Sequence, residues 1–434
     1  MARSVALVCA VLVFLAVLPA AGRAQLEDDV QRTVLPSGLV VLTKVRPDPD
    51  SVAINVAVRA GSRDEDETTN GAAHFMEHMY FQGTPRRPTS LDIDHPITAG
   101  GGSLNATTGW ELITFHAVVR SMDVPAALDV LSDILTNSLF DEQALEKERR
   151  VVIQELNARL NNPNTRGSDL FFQSVLAGHP AQHLPGGSPE TVRTISRDTL
   201  MEFRERWFVA NNMVIAVVGN VDPDTIVTQI EAAFRDLPSH PLPPRPPVAQ
   251  ARSRQELLRV SAGTHQAQVL VGVPGPSLAD PDRYAMTVLD AIIDDAGRRL
   301  FTEIRDRRGL AYSVGSSLIS LTDAGVWLAA AGVDPGNVEL VRDLILAEMR
   351  RLRDEPVSDS ELDEAKSYLE GRSVLGLETN LSQARRFASQ EALGVREPIA
   401  QYLEHIRAVT SADVQRVANR FFDLDNYTLV LVEP

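Results

Sequence analysis

The chain has 434 residues, 44% of them hydrophobic and 23% charged, with a formal net charge of −16 and a single cysteine. This acidic excess excludes a protein that grips nucleic acid or an anionic membrane through a basic face, and one cysteine excludes a disulfide scaffold. The length exceeds one ordinary domain and suits two of about 200 residues.

Residues 1–24 read as a signal peptide. Arg3 gives a short basic start, Ser4 to Leu18 is almost wholly apolar, and Pro19-Ala-Ala-Gly-Arg-Ala24 ends in small residues. The apolar run falls short of the roughly 20 residues a membrane span needs, so cleavage, export to the periplasm or outside, and no stable span afterwards are expected. Cys9, Arg3 and Arg23 leave with the segment, so 40 basic residues face 58 acidic ones and the net charge becomes −18. An acidic surface that keeps an exported protein soluble is the simplest account of that charge.

Residues 25–237 form the first predicted domain. Leu39 to Leu42 and Val52 to Val58 alternate or run apolar as strands, and a helix over His74 follows. Next come strands through Thr114–Val119, helices from Val124 to Leu160, and a closing strand at Met213–Val218. His116 sits in an alternating run and reads as a satisfied strand histidine.

Gly71-Ala-Ala-His-Phe-Met-Glu-His-Met-Tyr80 contains His74, Glu77 and His78 in an H-x-x-E-H pattern, the inverse of the H-E-x-x-H zinc-protease motif. On a helix the two imidazoles project about 40° apart, one turn up the same face, close enough to share a metal ion. Catalytic zinc takes three protein ligands and leaves a fourth position for water, and Glu77 reaches the same side to take a proton from that water. Histidines at this spacing also occur on helices that hold no metal, but these are two of only nine in the chain.

Asp141 to Leu160 has no Gly or Pro, begins with an Asp suited to N-capping, and repeats Leu145, Val152 and Leu156 at helical spacing. Glu148 and Glu155 fall about 60–80° to one side of that stripe and about 20° from each other, with Glu142 and Glu146 on the opposite flank. A carboxylate there can bend out to water or pair with a lysine. Equally, one of the two can complete a His2Glu set while the other orients it from behind.

Leu237-Pro-Ser-His-Pro-Leu-Pro-Pro-Arg-Pro-Pro247 cannot enter a sheet or a helix, and residues 238–255 are taken as a linker. The order of elements then recurs over 256–434. Strands are expected at Glu256–Val260, Ala267–Val273, Tyr312–Ser320, Gly325–Gly332 and Tyr427–Val432. Helices are expected at Asp282–Asp295, Gly297–Arg308, Asn337–Arg353, Ser358–Leu375 and Leu381–Leu393. The chain therefore reads as α+β: two tandem homologous domains, each a mixed or antiparallel sheet packed by helices. At Ala285-Met-Thr-Val-Leu-Asp290, the counterpart of the His74 helix, there is no H-x-x-E-H, so one metal per chain is expected.

His74-x-x-Glu77-His78, then Gln82-Gly-Thr84, then Glu155 separated from His78 by 76 residues on an E-x6-E helix, resembles the pitrilysin, insulin-degrading enzyme and mitochondrial processing peptidase family. The resemblance covers most of the mature chain. It implies a half-size zinc metalloendopeptidase with one Zn2+ held by His74, His78 and Glu155, Glu77 as general base, and Glu148 as supporting catalytic carboxylate. Gly100 to Thr108 resembles the stretch where the family binds a substrate backbone beside an edge strand, with Asn105 and Ala106 in the contacting positions. Phe301-Thr-Glu-Ile-Arg-Asp-Arg-Arg-Gly-Leu-Ala-Tyr312 resembles the segment whose Arg and Tyr, here Arg305 and Tyr312, reach the substrate carbonyl or terminus. Read from residues alone, that segment is also a solvated helix running into a Gly309 C-cap. The chain departs from the family at Gly297-Arg298-Arg299-Leu300, where charges replace small polar residues.

The implied substrate is an extended or unfolded peptide. Because the metal set and the Arg305/Tyr312 pair occur in one chain, a homodimer is expected, with a heterodimer with a family partner as the alternative. Two rival functions are a non-catalytic, peptide-binding subunit and a metal-binding protein without hydrolysis. Family members of the first kind usually lack a ligand or the base, and every one is present here; the second has no use for Glu77.

Overall fold

The structure is a computed structural model that describes residues 29–245, 256–261, 266–294 and 298–434. The expected leader at 1–24, linker residues 246–255 and Gly297 lie outside the described residues.

Two sheets organise the chain. The first contains β1 (Gln31–Val34), β2 (Val40–Val45), β3 (Ser51–Val58), β4 (Ser103–Thr108), β5 (Ile113–Arg120) and β6 (Met213–Gly219), in the order β1-β2-β6-β3-β5-β4. The second contains β7 (Glu256–Ser261), β8 (Ala267–Pro274), β9 (Ala311–Ser320), β10 (Gly325–Val333) and β11 (Thr428–Glu433), in the order β7-β11-β8-β10-β9. Without β1 the two orders match strand for strand. Each sheet has one parallel pair, β2 with β6 and β7 with β11, at the same place in an otherwise antiparallel ladder. The duplication expected from the sequence is thus a duplication of topology.

β6, Met-Val-Ile-Ala-Val-Val-Gly, is buried at every residue, which requires cover on both faces of its sheet. On one face Val52, Ile54, Val56 and Val58 of β3 join Ile215 and Val217 and pack under the helices of the first unit. On the other, Ala53, Ala57, Val214 and Ala216 meet Ala384, Phe387 and Ala388 of a helix at Asn380–Leu393, which belongs to the second unit. Alanines at these alternate positions let that helix lie close. The second sheet receives the reciprocal contribution. Phe171, Phe172 and Val175, from the helix Pro163–Val175 of the first unit, pack with Leu270, Val326, Leu328, Val430 and Val432. Glycines on both sides allow the close approach: a Cβ on Gly272 would stand 2.4 Å from the Phe171 ring, and one on Gly167 2.9 Å from Leu270 Cδ1. Each unit therefore lends one helix to the other's sheet. Among the described residues no helix is long and apolar enough to cross a membrane.

The expected helix at Gly297–Arg308 is instead a short wide-turned π-helical stretch, Phe301–Asp306, in which the Arg307 N–H reaches back to the Thr302 carbonyl at 2.9 Å. Arg298 and Arg305 stack on the Phe301 ring within it, at 3.9 and 4.6 Å.

His116 lies on β5, buried, with Arg385 Nη2 of the lent helix 3.3 Å from its ring nitrogens. Burial first, and then the Arg385 charge, lower its pKa from an ordinary value near 6.5 to about 4. The unfolded chain binds a proton here at a higher pH than the folded one, so stability is complete above about 6.5 and is lost as pH falls toward 4. The urea midpoint of the wild type should consequently drop more between pH 7 and pH 5 than that of His116→Gln. Parallel pH profiles for the two would show that the histidine does not load this seam.

Candidate metal centre

The helix Ala72–Met79 turns Ala72, Ala73, Phe75, Met76 and Met79 into the first core, which leaves His74, Glu77 and His78 half-buried on the other face. Its start is built from outside the helix. Gly71 adopts a left-handed φ of 103° and has no side chain to cap with. The buried Glu65 carboxylate does the capping, accepting the N–H groups of Gly71 at 2.9 Å and Ala73 at 2.6 Å and the Asn70 amide at 2.8 Å. Burial pushes Glu65 up to about 8 against the pull of those donors. The Leu184–Ser188 loop rests on the same turn: a Cβ on Gly187 would strike the Asn70 carbonyl at 2.4 Å, and one on Gly71 would meet the Gly186 carbonyl at 2.9 Å. Glu65, Gly186 and Gly187 are contributors that the sequence analysis missed. An acid shortly before a helix with no side-chain cap was the available signal for Glu65.

The second helix, Glu142–Asn161, starts where the Asp141 side chain accepts the N–H groups of Gln143 and Ala144 at 2.9 and 3.1 Å. Leu145, Val152 and Leu156 are buried, as their spacing predicts. Arg149 seats this helix on the first by stacking on the Phe75 ring at 5.2 Å and donating to the Val192 carbonyl.

The two helices bring His74, His78 and Glu155 together, with one donor atom of each lying within 4.8 Å of the others. Glu155 Oε2 stands 3.5 Å from His78 Nε2 and 3.9 Å from His74 Nε2, and the two rings lie edge to face with centroids 4.8 Å apart. No comparable donor group occurs elsewhere among the described residues. Glu148, 6% exposed, places Oε2 3.3 Å from His78 Nδ1, while the Glu155 side chain is 51% exposed. A Nδ1 proton shared with Glu148 leaves the His78 Nε2 lone pair facing Glu155, the arrangement that orients a metal-binding imidazole. Burial, then the charges of His78 and Arg159, lower His74 to about 4, so it is neutral near pH 7 and one ring nitrogen keeps its lone pair available.

These donors fit zinc. Bonds of about 2.0–2.2 Å in tetrahedral array separate ligand atoms by about 3.3–3.6 Å, which the 3.5 Å from Glu155 to His78 meets and the 3.9 Å from Glu155 to His74 approaches, and two imidazoles with a carboxylate form a common open zinc set. Beside the cluster, Glu77 accepts a hydrogen bond at Oε2 from the Thr108 hydroxyl on β4. Burial raises the Glu77 pKa, while Thr108 and then His78 pull it down. Thr108 was not singled out in the sequence, where nothing links a strand threonine to a helix carboxylate.

Among the described residues β4 pairs only with β5 and so presents a free edge. Alternation puts Ala106 and Thr108 on the face of the His74 helix. Asn105 lies on the opposite face, in register with His116, and its Oδ1 accepts the Ala106 N–H at 2.8 Å. The Asn105 side chain therefore lies on the face of β4 opposite Thr108. Arg305 and Tyr312 are paired, with the guanidinium 4.9 Å from the ring, and Tyr312 is 78% exposed. No hydrogen bond or ion pair among the described residues joins that pair to the His74, His78 and Glu155 cluster.

Fold and site together define a two-unit α+β protein with one metal centre, borne by its first half. Residues 40–180 match the model of insulinase, peptidase family M16, and residues 194–369 match the model of the peptidase M16 inactive domain. An uncharacterized zinc protease of Streptomyces coelicolor is 34% identical over 397 residues, which cover 90% of this chain and 86% of the relative. Another from Mycobacterium tuberculosis is 33% identical over 393 residues, covering 89% and 90% of the two chains. The crystal structure of a protease from Helicobacter pylori shares the fold with a TM-score of 0.88 at 22% identity, covering 94% of this chain and 99% of that one. The chain belongs to the insulinase family, peptidase family M16, as a half-size member with zinc as its cofactor and a peptidase role.

Proposed function

We propose that this chain is a zinc-dependent endopeptidase that cleaves extended or unfolded peptides. The observation that carries this reading is Glu77, a carboxylate held by Thr108 beside the convergent His74, His78 and Glu155 donors. His74, His78 and Glu155 would hold the zinc, which when bound would supply a Lewis acid for the carbonyl and the water. Glu77 takes the proton of the attacking water and passes it to the leaving amine, and the burial that raises its pKa makes it a stronger base. Glu148 keeps the His78 ring in one tautomer. The free edge of β4 can accept a peptide as an added strand, so backbone is recognised and folded proteins are poor substrates. Arg305 and Tyr312 are assigned to the substrate carbonyl or terminus.

The model of the inactive domain matches residues 194–369, which leaves out His74, Glu77, His78 and Glu155, and a non-catalytic role would leave this complete set without use. Export rests on the leader pattern at 1–24. A homodimer rests on one chain carrying both the metal set and the Arg305/Tyr312 pair, with a heterodimer as the alternative.

Glu77→Gln should lower kcat on a quenched peptide library by about 100-fold or more while zinc content stays at the wild-type level. Undiminished turnover by Glu77→Gln would remove the mechanism. Zinc without turnover in either protein would favour a non-catalytic subunit.

A further inference from the structure

We infer that the second unit sets the position of Glu77 through a buried junction between two hairpin turns, with Thr108 as the final link; this rests on the reading of Glu77 as the base. The turn Gly109–Leu112 joins β4 to β5, and Leu321–Ala324 joins β9 to β10 at the same place in the duplicated topology. Both close with the same backbone bond, Gly109 N–H to the Leu112 carbonyl and Leu321 N–H to the Ala324 carbonyl, each at 2.8 Å. The two turns meet. Glu111 accepts the Thr322 N–H at 2.9 Å and also the Thr322 hydroxyl. Arg63 donates to Glu111 and forks onto Asp323 at 2.7 and 3.0 Å, with a further bond to the Thr322 hydroxyl at 3.0 Å. His179 Nε2 stands 3.3 Å from Asp323 Oδ1.

The same segment that supplies Arg63 clamps the first turn by its backbone. Ser62 N–H reaches the Gly109 carbonyl at 3.2 Å and Arg63 N–H the Trp110 carbonyl at 3.1 Å. Gly61 lies so close that a Cβ would sit 2.4 Å from the Gly109 carbonyl. Arg63 and Glu111 are both buried, so their charges are dry and strongly directional. Thr108 is the residue immediately before this clamped turn, and its hydroxyl holds Glu77 Oε2. A shift of the turn therefore becomes a shift of the base, and a misplacement of about 1 Å far from the reacting atoms can cost on the order of 100-fold in rate. Thr108, Thr322 and Asp323 are positioning residues, acting through Glu77 alone.

The test uses the full zinc-loaded chain and measures kcat, KM and zinc content on a quenched peptide. Thr108→Val should lower kcat by about 10-fold or more with KM and zinc unchanged, and Thr108→Ser should restore it. Thr322→Val and Asp323→Asn should lower kcat in the same way, and Thr108→Val should absorb their effect when combined with either. If Asp323→Asn fails to fold, Thr322→Val carries the second-unit arm. Wild-type kcat in Thr108→Val, or full additivity in the double variants, overturns the proposal while Glu77→Gln remains inactive. Full activity in Glu77→Gln would instead show that the underlying reading of the base has failed.

Discussion

Glu155→Gln and His78→Ala should each empty the protein of zinc and take peptide hydrolysis below detection, whereas Glu148→Gln should keep a weakened metal. The difference follows from where the two carboxylates stand. Glu155 Oε2 approaches the Nε2 atoms of both histidines and closes the donor set, so an amide in its place removes a charge and a ligand together. Glu148 touches the far side of one ring, at His78 Nδ1, and loss of such an outer partner typically costs about 10–100-fold in metal affinity. Dialysis of the three variants against chelators of graded strength, with metal content and activity read on the same samples, measures the order. Equal zinc loss from Glu148→Gln and Glu155→Gln would contradict the division of roles.

Arg63→Met should destabilise the folded chain by about 3–5 kcal/mol, because it strands the buried Glu111 carboxylate, and with it the half-buried Asp323, with their shared cation gone. In the native protein, burial alone would raise the Asp323 pKa, but the hydrogen-bonded Arg63 guanidinium and the His179 imidazole 3.3 Å away hold it well below the usual carboxylate range. A depressed folded pKa means that this contribution is present above the unfolded value of about 3.9 and is lost as pH falls below it. Urea unfolding should therefore show Arg63→Met much weaker than wild type at pH 7, with the gap narrowing in acid as the wild type loses what the variant never had. A gap of less than about 1 kcal/mol at neutral pH would show that the junction is only a surface-type pair.

The metal set was legible because its signals are local and redundant. H-x-x-E-H fixes two imidazoles on one helix face, and the Leu145, Val152 and Leu156 stripe fixes which way Glu148 and Glu155 point. Most strands were legible for a similar reason, being apolar runs such as Met213–Gly219 that need cover on both sides. What escaped depends on distant partners. Ser-Leu-Asn-Ala-Thr-Thr has no strand-like run of apolar residues, and it is a strand because β5 offers it an edge. The segment Pro163–Val175, with Asn162, Pro163, Asn164 and Gly167 near its start, resembles a loop. It is helical because Asn162 caps it and the second sheet takes up Phe171 and Phe172. Nothing in the sequence ties Glu65 or Thr108 to its partner; only the folded chain brings one to the start of the His74 helix and the other to Glu77.

The mutual loan of helices has a consequence for how the chain can be made. While a ribosome is still short of Phe387, the nascent first half exposes the strip formed by Ala53, Ala57, Val214 and Ala216, and no amount of local folding can hide it. Completion of the amino-terminal half thus waits for nearly the last stretch of synthesis, and severing the polypeptide between the sheets should yield two sticky fragments instead of two working modules.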